Sequence, residues 1–113
     1  MMSFHPSREN LESFQNDWIV LKGKLAIAFS EENQKKSDLM REAIGLYHSF
    51  ISTFTRDVAT SDDEGMDIRP LNAKERLRFI EEKMSGRFAF IQLDALFSEA
   101  MKKAASQLAR IHR

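Results

Sequence analysis

The segment from residue 88 to residue 111 restricts the fold more than any other part of the sequence. When its residues are placed at about 100° each, as in an α-helix, the apolar side chains fall within an arc of roughly 140°. A stripe of about six turns is too apolar to face water, and the charged opposite face is too polar for lipid. The rest of the chain must therefore bury one side of this helix. The stripe consists of Phe90, Leu93, Leu96, Phe97, Ala100, Met101, Ala104, Leu108 and Ile111.

Apolar residues spaced three and four apart predict three further helices in the preceding sequence. The polar connections between them are short except for one acidic loop. These features predict an all-α fold, an antiparallel bundle of about four helices, three long and one short, in which Trp18 anchors the core. The whole chain, 1–113, is expected to form one domain with a flexible start at 1–7. The predicted helices are 8–30, 38–58, 73–84 and 88–111, and the acidic loop is 59–70.

Residues at the helix ends predict the boundaries. Ser7 is expected to cap the first helix, because its hydroxyl can accept a hydrogen bond from a first-turn amide. Ser37 or Asp38 is expected to cap the second helix. Asn72 with Glu75 three residues later resembles a capping box before the third helix. Ser85-Gly86 is expected to close that helix, since glycine tolerates the left-handed conformation common after a helix end.

Composition excludes several classes of protein. The 113 residues carry a formal net charge of zero, so no overall field attracts nucleic acid or an anionic membrane. The sequence contains no cysteine, which excludes disulfides and thiolate metal sites and is typical of the cytoplasm. Its start does not resemble a signal peptide, and no apolar run has membrane-spanning length. We therefore expect a cytoplasmic protein.

The second half of the first helix is apolar on two sides. Val20 and Ile27 lie seven residues apart on the back, with Ile19 and Gly23 beside them. Such a helix is either enclosed on both sides within the fold or in contact with a protein partner or a second copy. Glycine inside a helix costs about 1 kcal/mol relative to alanine, which indicates a close approach at this position by the rest of the fold or by a partner. The back of this helix is thus the candidate protein interface.

The residues that could carry chemistry do not assemble into a recognisable centre. In the acidic loop, a calcium-binding pattern around Gly65 would require ligands at Thr60 and Leu71, and neither residue suits. The three histidines are scattered, and the adjacent glutamates of each pair point about 100° apart in a helix. The sequence therefore predicts a protein that is not an enzyme and has no catalytic, cofactor or metal site. A weak ion contact through Asp62, Asp63 and Asp67 is the remaining metal alternative.

Basic residues near the end of the chain form the candidate nucleic-acid contact, which comprises Lys102, Lys103, Arg110 and Arg113. No acidic residue follows Glu99, so the final turns carry net positive charge. Cations at a helix C-terminus also complement the helix dipole, and this structural explanation is favoured over nucleic-acid binding.

Three segments of the sequence resemble the YpoC-like family, a family of small bacterial proteins. The resemblance implies a cytoplasmic helical protein with no established activity, whose relatives are often encoded beside DNA-repair and replication genes. No catalytic residue can be carried over from the family. The segments are 18–29, Arg69-Pro70-Leu71-Asn72-Ala73-Lys74-Glu75-Arg76-Leu77-Arg78-Phe79-Ile80 and Phe88-Ala89-Phe90-Ile91-Gln92-Leu93-Asp94-Ala95-Leu96-Phe97.

Two functions are expected on these grounds. The first is a non-enzymatic protein–protein interaction module that uses the back of the first helix. The alternative is a nucleic-acid-binding accessory protein linked to DNA replication or repair, which uses the basic C-terminal helix.

Overall fold

The computed structural model describes residues 7–55 and 67–111, and every regular element within them is an α-helix. The predicted all-α bundle of three long helices and one short helix is therefore confirmed. Most of the acidic loop, with Asp62 and Asp63, lies outside the described residues, as do residues 1–6. The helices are α1 (Arg8–Ser30), α2 (Lys36–Phe54), α3 (Ala73–Glu82) and α4 (Arg87–Ile111).

Helices that follow one another in the sequence run antiparallel, since Phe14 and Phe29 of α1 contact Phe50 and Lys36 of α2 in reverse order. Helices α1 and α4 are also antiparallel, because Trp18 stacks on Phe97 near the middle of both helices, while Phe29 near the end of α1 stacks on Phe90 near the start of α4. Helix α1 packs against α2 and α4, and α2 also contacts α4. Among the described helices, α3 packs against α4 alone. The long helices thus form a three-helix core, and α3 lies on the outside of α4.

Aromatic rings fill the centre of this core. Trp18 and Phe97 lie with their ring centroids 4.0 Å apart and nearly parallel planes, and Tyr47 meets Phe97 edge-on at 5.4 Å. Phe50 and Phe54 of α2 are fully buried and contact each other edge-on at 5.2 Å. Such rings remove large apolar areas from water, which drives the three long helices together. Trp18 is 4% exposed, so its predicted role as a core anchor is confirmed.

The start of α1 is as predicted. The Ser7 hydroxyl accepts a hydrogen bond from the Asn10 amide at 3.1 Å, and the Ser7 amide donates to the Asn10 side chain at 3.0 Å. Two amides near the helix end are therefore satisfied reciprocally, with asparagine in the place usually held by glutamate or glutamine.

The start and end of α2 differ from the prediction. The helix begins at Lys36, so Ser37 and Asp38 lie inside it rather than capping it. Lys35 precedes the helix without a side-chain cap, and its amide donates instead to the Asn33 side chain at 2.8 Å. The helix ends at Phe54, because Thr55 adopts an extended conformation.

The predicted capping box at Asn72 is wrong. Asn72 adopts a left-handed conformation with φ 56°, and its side chain caps nothing. Asparagine is among the few non-glycine residues that tolerate this region, so it acts here through its backbone. Gly86, in contrast, does not have a positive φ; its amide donates to the Lys83 carbonyl at 2.9 Å in the turn after α3. Glu32, after α1, takes the left-handed position with φ 51°.

Candidate protein interface

Helix α1 exposes large aliphatic side chains on the side opposite the core. Ile19 is 66% exposed, and Val20 and Ile27 are each 60% exposed. A Cβ added at Gly23, which lies between them, would meet no atom within 4 Å. We call these four residues the outer face of α1. No described part of the chain covers this face, so the described helices do not enclose it.

The exposure of the outer face follows from the helical repeat of α1. Leu21, Leu25 and Ala28 are buried, and they share the side that packs against α2 and α4. Val20 and Ile27 lie roughly 110–130° from the centre of this stripe at 100° per residue. One helix cannot turn both stripes towards the same core. The second stripe is therefore left in water on an isolated subunit.

A groove between α1 and α2 borders the outer face on one side. Asp17 and Lys24 are exposed there, one helical heptad apart, and neither makes an ion pair with a described residue. Leu46 of α2 is half-buried and adds an apolar contact to the same groove. The groove is lined by Asp17, Val20, Leu21, Lys24, Glu42 and Leu46.

On the other side, a polar cluster joins α1 to α4. The indole Nε1 of Trp18 donates to the Asp94 carboxylate at 3.3 Å, and Lys22 Nζ lies 3.0 Å from the other carboxylate oxygen. From the sequence, Asp94 lies only at the border of the apolar stripe of α4. Its contact with Trp18 could not be predicted, because it joins residues 76 positions apart and has no local signal. The cluster fixes α1 against α4 and neutralises the charge of Lys22 beside the outer face.

A second exposed apolar patch, which the sequence reasoning missed, lies on α3 and α4. Phe88 is 58% exposed and meets Phe79 edge-on at a centroid distance of 5.6 Å, and Ile91 is 53% exposed. Ile91 also borders a groove with Ala26 of α1, so this patch approaches the outer face across α4. Phe88 and Ile91 lie three residues apart and outside the buried arc of α4, which is the signal that could have revealed them.

The structure brings together most of the candidate nucleic-acid contact, but part of it is already engaged. Lys102, Lys103 and Arg110 line one shallow groove on α4. Lys103 Nζ donates to the Arg69 carbonyl at 2.7 Å, and the Asp67 carboxylate belongs to the same groove. The fourth residue, Arg113, lies outside the described part of the chain.

The segment before α3 is held to α4 by these polar residues. Arg69 donates to the Asp67 carboxylate at 2.9 and 2.7 Å, and these hydrogen bonds lower the pKa of Asp67 to about 2. Gln107 Nε2 donates to the Asp67 carbonyl at 2.9 Å. Ile68, which lies between Asp67 and Arg69 in the sequence, is fully buried. Asp67, one of the three residues of the metal alternative, is thus paired with a guanidinium.

Two further polar features lie near each other, an ion pair between α3 and α4 and a buried hydroxyl on α2. Arg76 of α3 pairs with Glu99 of α4 through two hydrogen bonds of 2.9 and 2.7 Å, and they lower the pKa of Glu99. The Tyr47 hydroxyl is buried nearby with no hydrogen-bond partner among the described residues, and burial raises the pKa of Tyr47 to about 12.

Within the described residues, no group of three or more acidic, histidine or cysteine side chains is placed to hold a metal ion.

Three long helices around an aromatic core, a short helix on the outside of α4 and an apolar face of α1 that no described residue covers define a small all-α bundle protein. Within residues 7–55 and 67–111, no helix is both long and apolar enough to cross a membrane. The model of the YpoC-like protein family matches residues 8–112, and the chain belongs to that family. The resemblance seen in three segments is therefore confirmed over nearly the whole sequence. No curated protein and no solved structure shows significant similarity to the chain.

Proposed function

We propose that this chain is a non-enzymatic interaction module of the bacterial cytoplasm that contacts a protein through the outer face of α1. The observation that supports the proposal is the exposure, at 60% or more, of three large aliphatic side chains around a glycine on one helix face. Single exposed apolar residues are ordinary, but a contiguous set on one helix is typical of a contact surface.

The charges around the outer face agree with this role. Lys22 is neutralised by Asp94, and Asp17 and Lys24 lie at the edge of the outer face. An apolar centre with charges at its rim is the usual composition of a protein–protein interface. The apolar centre supplies affinity through burial, and the rim selects the partner.

The test is the double substitution Val20→Glu and Ile27→Glu, with Ser49→Glu and Ser52→Glu on α2 as the matched control. Ser49 and Ser52 are exposed on α2, so the control adds the same charge to a different helix. Helix content by circular dichroism should be unchanged in both variants, because none of the four side chains is buried. A protein that associates with the original chain and with the control should be lost from the outer-face variant. Equal association of all three forms would refute the proposal.

A second candidate function rests on the groove that gathers Lys102, Lys103 and Arg110. Nucleic-acid binding there should weaken steeply between about 50 and 200 mM salt, because phosphate contacts release counterions. It should also fall on Lys102→Glu with Lys103→Glu. The matched control is Lys74→Glu with Lys83→Glu on and just after α3, where both side chains are exposed. If the chain binds no DNA or RNA at low salt, this candidate is refuted.

A further inference from the structure

The exposed side of α1 has the repeat of a helix-packing seam. The exposed residues on its back alternate in spacings of four and three, as the a and d positions of a coiled coil do. The seam has apolar or small residues at its centre and polar ones at its ends. We call it the outer seam, and it consists of Asn16, Val20, Gly23, Ile27 and Ser30.

The positions that flank the outer seam differ in chemistry. Val20 and Ile27 take the a positions, and Asn16, Gly23 and Ser30 take the d positions. On the α2 side, the exposed residues that follow the d positions are Asp17, Lys24 and Glu31. On the α4 side, the exposed residues that precede the a positions include Ile19 and Ala26. One edge is therefore charged with alternating sign, and the other edge is apolar at its centre.

We infer that the outer seam binds the same seam of a second copy of this chain, with the two α1 helices antiparallel. This inference rests on the proposed function and names its partner. In antiparallel packing, each edge of the seam meets the same edge of the other copy. When Val20 packs over Gly23 of the second copy, Asp17 lies opposite Lys24 of the second copy. Two-fold symmetry repeats this ion pair on both halves of the interface.

The charges select this arrangement among the possible ones. A shift of one heptad in one direction places Lys24 opposite Lys24 of the second copy and Asp17 opposite Glu31 of the second copy. A shift of one heptad in the other direction places Asp17 opposite Asp17 of the second copy. A parallel pair brings Glu12 beside Asp17 on both sides of the seam. Each alternative opposes like charges, whereas the proposed register pairs opposite ones twice and places Ile19 beside Ala26.

The size of the surface predicts a weak dimer. The outer seam extends over 15 residues of helix, or roughly 22 Å at about 1.5 Å per residue. Stable interfaces bury about 1,200–2,000 Å² in total, and one short helix pair reaches only the lower end of that range. Leu46 of α2 and Ile91 of α4 border the seam and extend the contact. We therefore expect association in about the micromolar range.

Sedimentation equilibrium over a concentration series tests the self-association. The mass should rise from 13.1 kDa towards twice that value as concentration increases. Val20→Glu with Ile27→Glu should leave a folded monomer, while the Ser49→Glu, Ser52→Glu control should dimerise as the original chain does. A monomer of the original chain up to about millimolar concentration, where even weak contacts form, overturns the inference. It leaves the proposed function standing, since that function is judged by association with another protein.

Charge exchange tests the register. Asp17→Lys and Lys24→Asp should each weaken the dimer by about five- to tenfold, because each creates two like-charge pairs at exposed positions. The combined variant Asp17→Lys, Lys24→Asp exchanges the two charges and should restore affinity to within about twofold. If the combined variant is as weak as the single ones, the proposed pairing is refuted.

Disulfide trapping tests the orientation, and the chain suits it because it has no cysteine of its own. Asp17→Cys and Lys24→Cys variants should cross-link to each other when mixed and oxidised. Neither variant alone should cross-link efficiently, because each new thiol would face a residue of the other kind. Cross-linking of either variant alone at the rate of the mixture would overturn the antiparallel register.

Discussion

Tyr47 provides a perturbation with a definite sign, because its hydroxyl lies in the core without a hydrogen-bond partner among the described residues. The side chain is 3% exposed, its ring packs edge-on against Phe97, and its oxygen finds no hydrogen-bond partner among the described residues. Tyr47→Phe keeps the ring and removes the hydroxyl. We expect the variant to be more stable than the original chain.

The size of this effect follows from the cost of burying an unpaired hydroxyl. Leaving such a group without a partner costs about 1–3 kcal/mol, and losing its packing contacts offsets part of the gain. A net stabilisation of about 1 kcal/mol is expected, which for a domain of this size raises the melting temperature by about 4 °C. Urea unfolding followed by the fluorescence of Trp18, the single tryptophan, measures it.

The same hydroxyl predicts how stability depends on pH in alkali. Burial raises the pKa of Tyr47 from 10.0 to about 12, so the folded state favours the protonated phenol. This contribution is fully present below about pH 10 and is lost as the pH rises through 12. The loss reaches about 2–3 kcal/mol. Tyr47 is the single tyrosine, so tyrosinate absorbance reports its titration alone.

Two results would contradict this account of Tyr47. One is a Tyr47→Phe variant destabilised by more than about 1 kcal/mol, which would mean that the hydroxyl makes a favourable bond. The other is a tyrosine titration near the ordinary pKa, which would mean that water reaches the oxygen in the folded state. The Tyr47→Phe variant should also lose less stability than the original chain between pH 10 and 12.

Three other substitutions test separate parts of the structure, each by urea unfolding. Gly23→Ala should stabilise the subunit by about 0.5–1 kcal/mol, because the added methyl meets no atom and alanine favours helix; an unstable variant would mean that the position is covered. Asp94→Ala should destabilise by about 1–2 kcal/mol because the indole of Trp18 loses its acceptor, whereas Asp94→Asn, which keeps an oxygen there, should cost less. Hydrogen bonds from Arg76 lower the pKa of Glu99, so this pair stabilises the fold above the ordinary glutamate pKa of 4.5 and stabilises it less as the pH falls below that value. Glu99→Gln should therefore make the free energy of unfolding depend less on pH in acid. An unchanged dependence would refute the role assigned to the pair.

The hydrophobic repeat sufficed to predict the helices, because the stripe of each long helix is strongly periodic. Leu21, Leu25 and Phe97 are buried where the repeat places them. The helix ends were less predictable, since they depend on backbone conformations that several residues can adopt. Asn72 shows this, because an asparagine before a helix can cap with its side chain or turn the chain with a left-handed backbone.

The outer face was predictable as an apolar stripe but not as an exposed one. From the sequence, Val20 and Ile27 could also lie between two layers of helices. What decides is the position of α3, which packs on α4 and leaves the back of α1 uncovered within the described residues. The contacts that hold α3 there, such as Arg76 with Glu99, join residues 23 positions apart and have no local signal in the sequence.

The outer face of α1 carries two costs that the isolated subunit does not recover. Ile19, Val20 and Ile27 leave aliphatic area in water that would contribute about 1.5–3 kcal/mol each if fully buried. Gly23 weakens the helix by about 1 kcal/mol where an alanine side chain would fit without contact. Helix formation explains neither choice, because β-branched residues and glycine are poorer helix formers than the polar residues a solvent-facing helix could use. A second helix packed on this face would recover both costs, since it would bury the aliphatic groups and use the close approach that glycine permits.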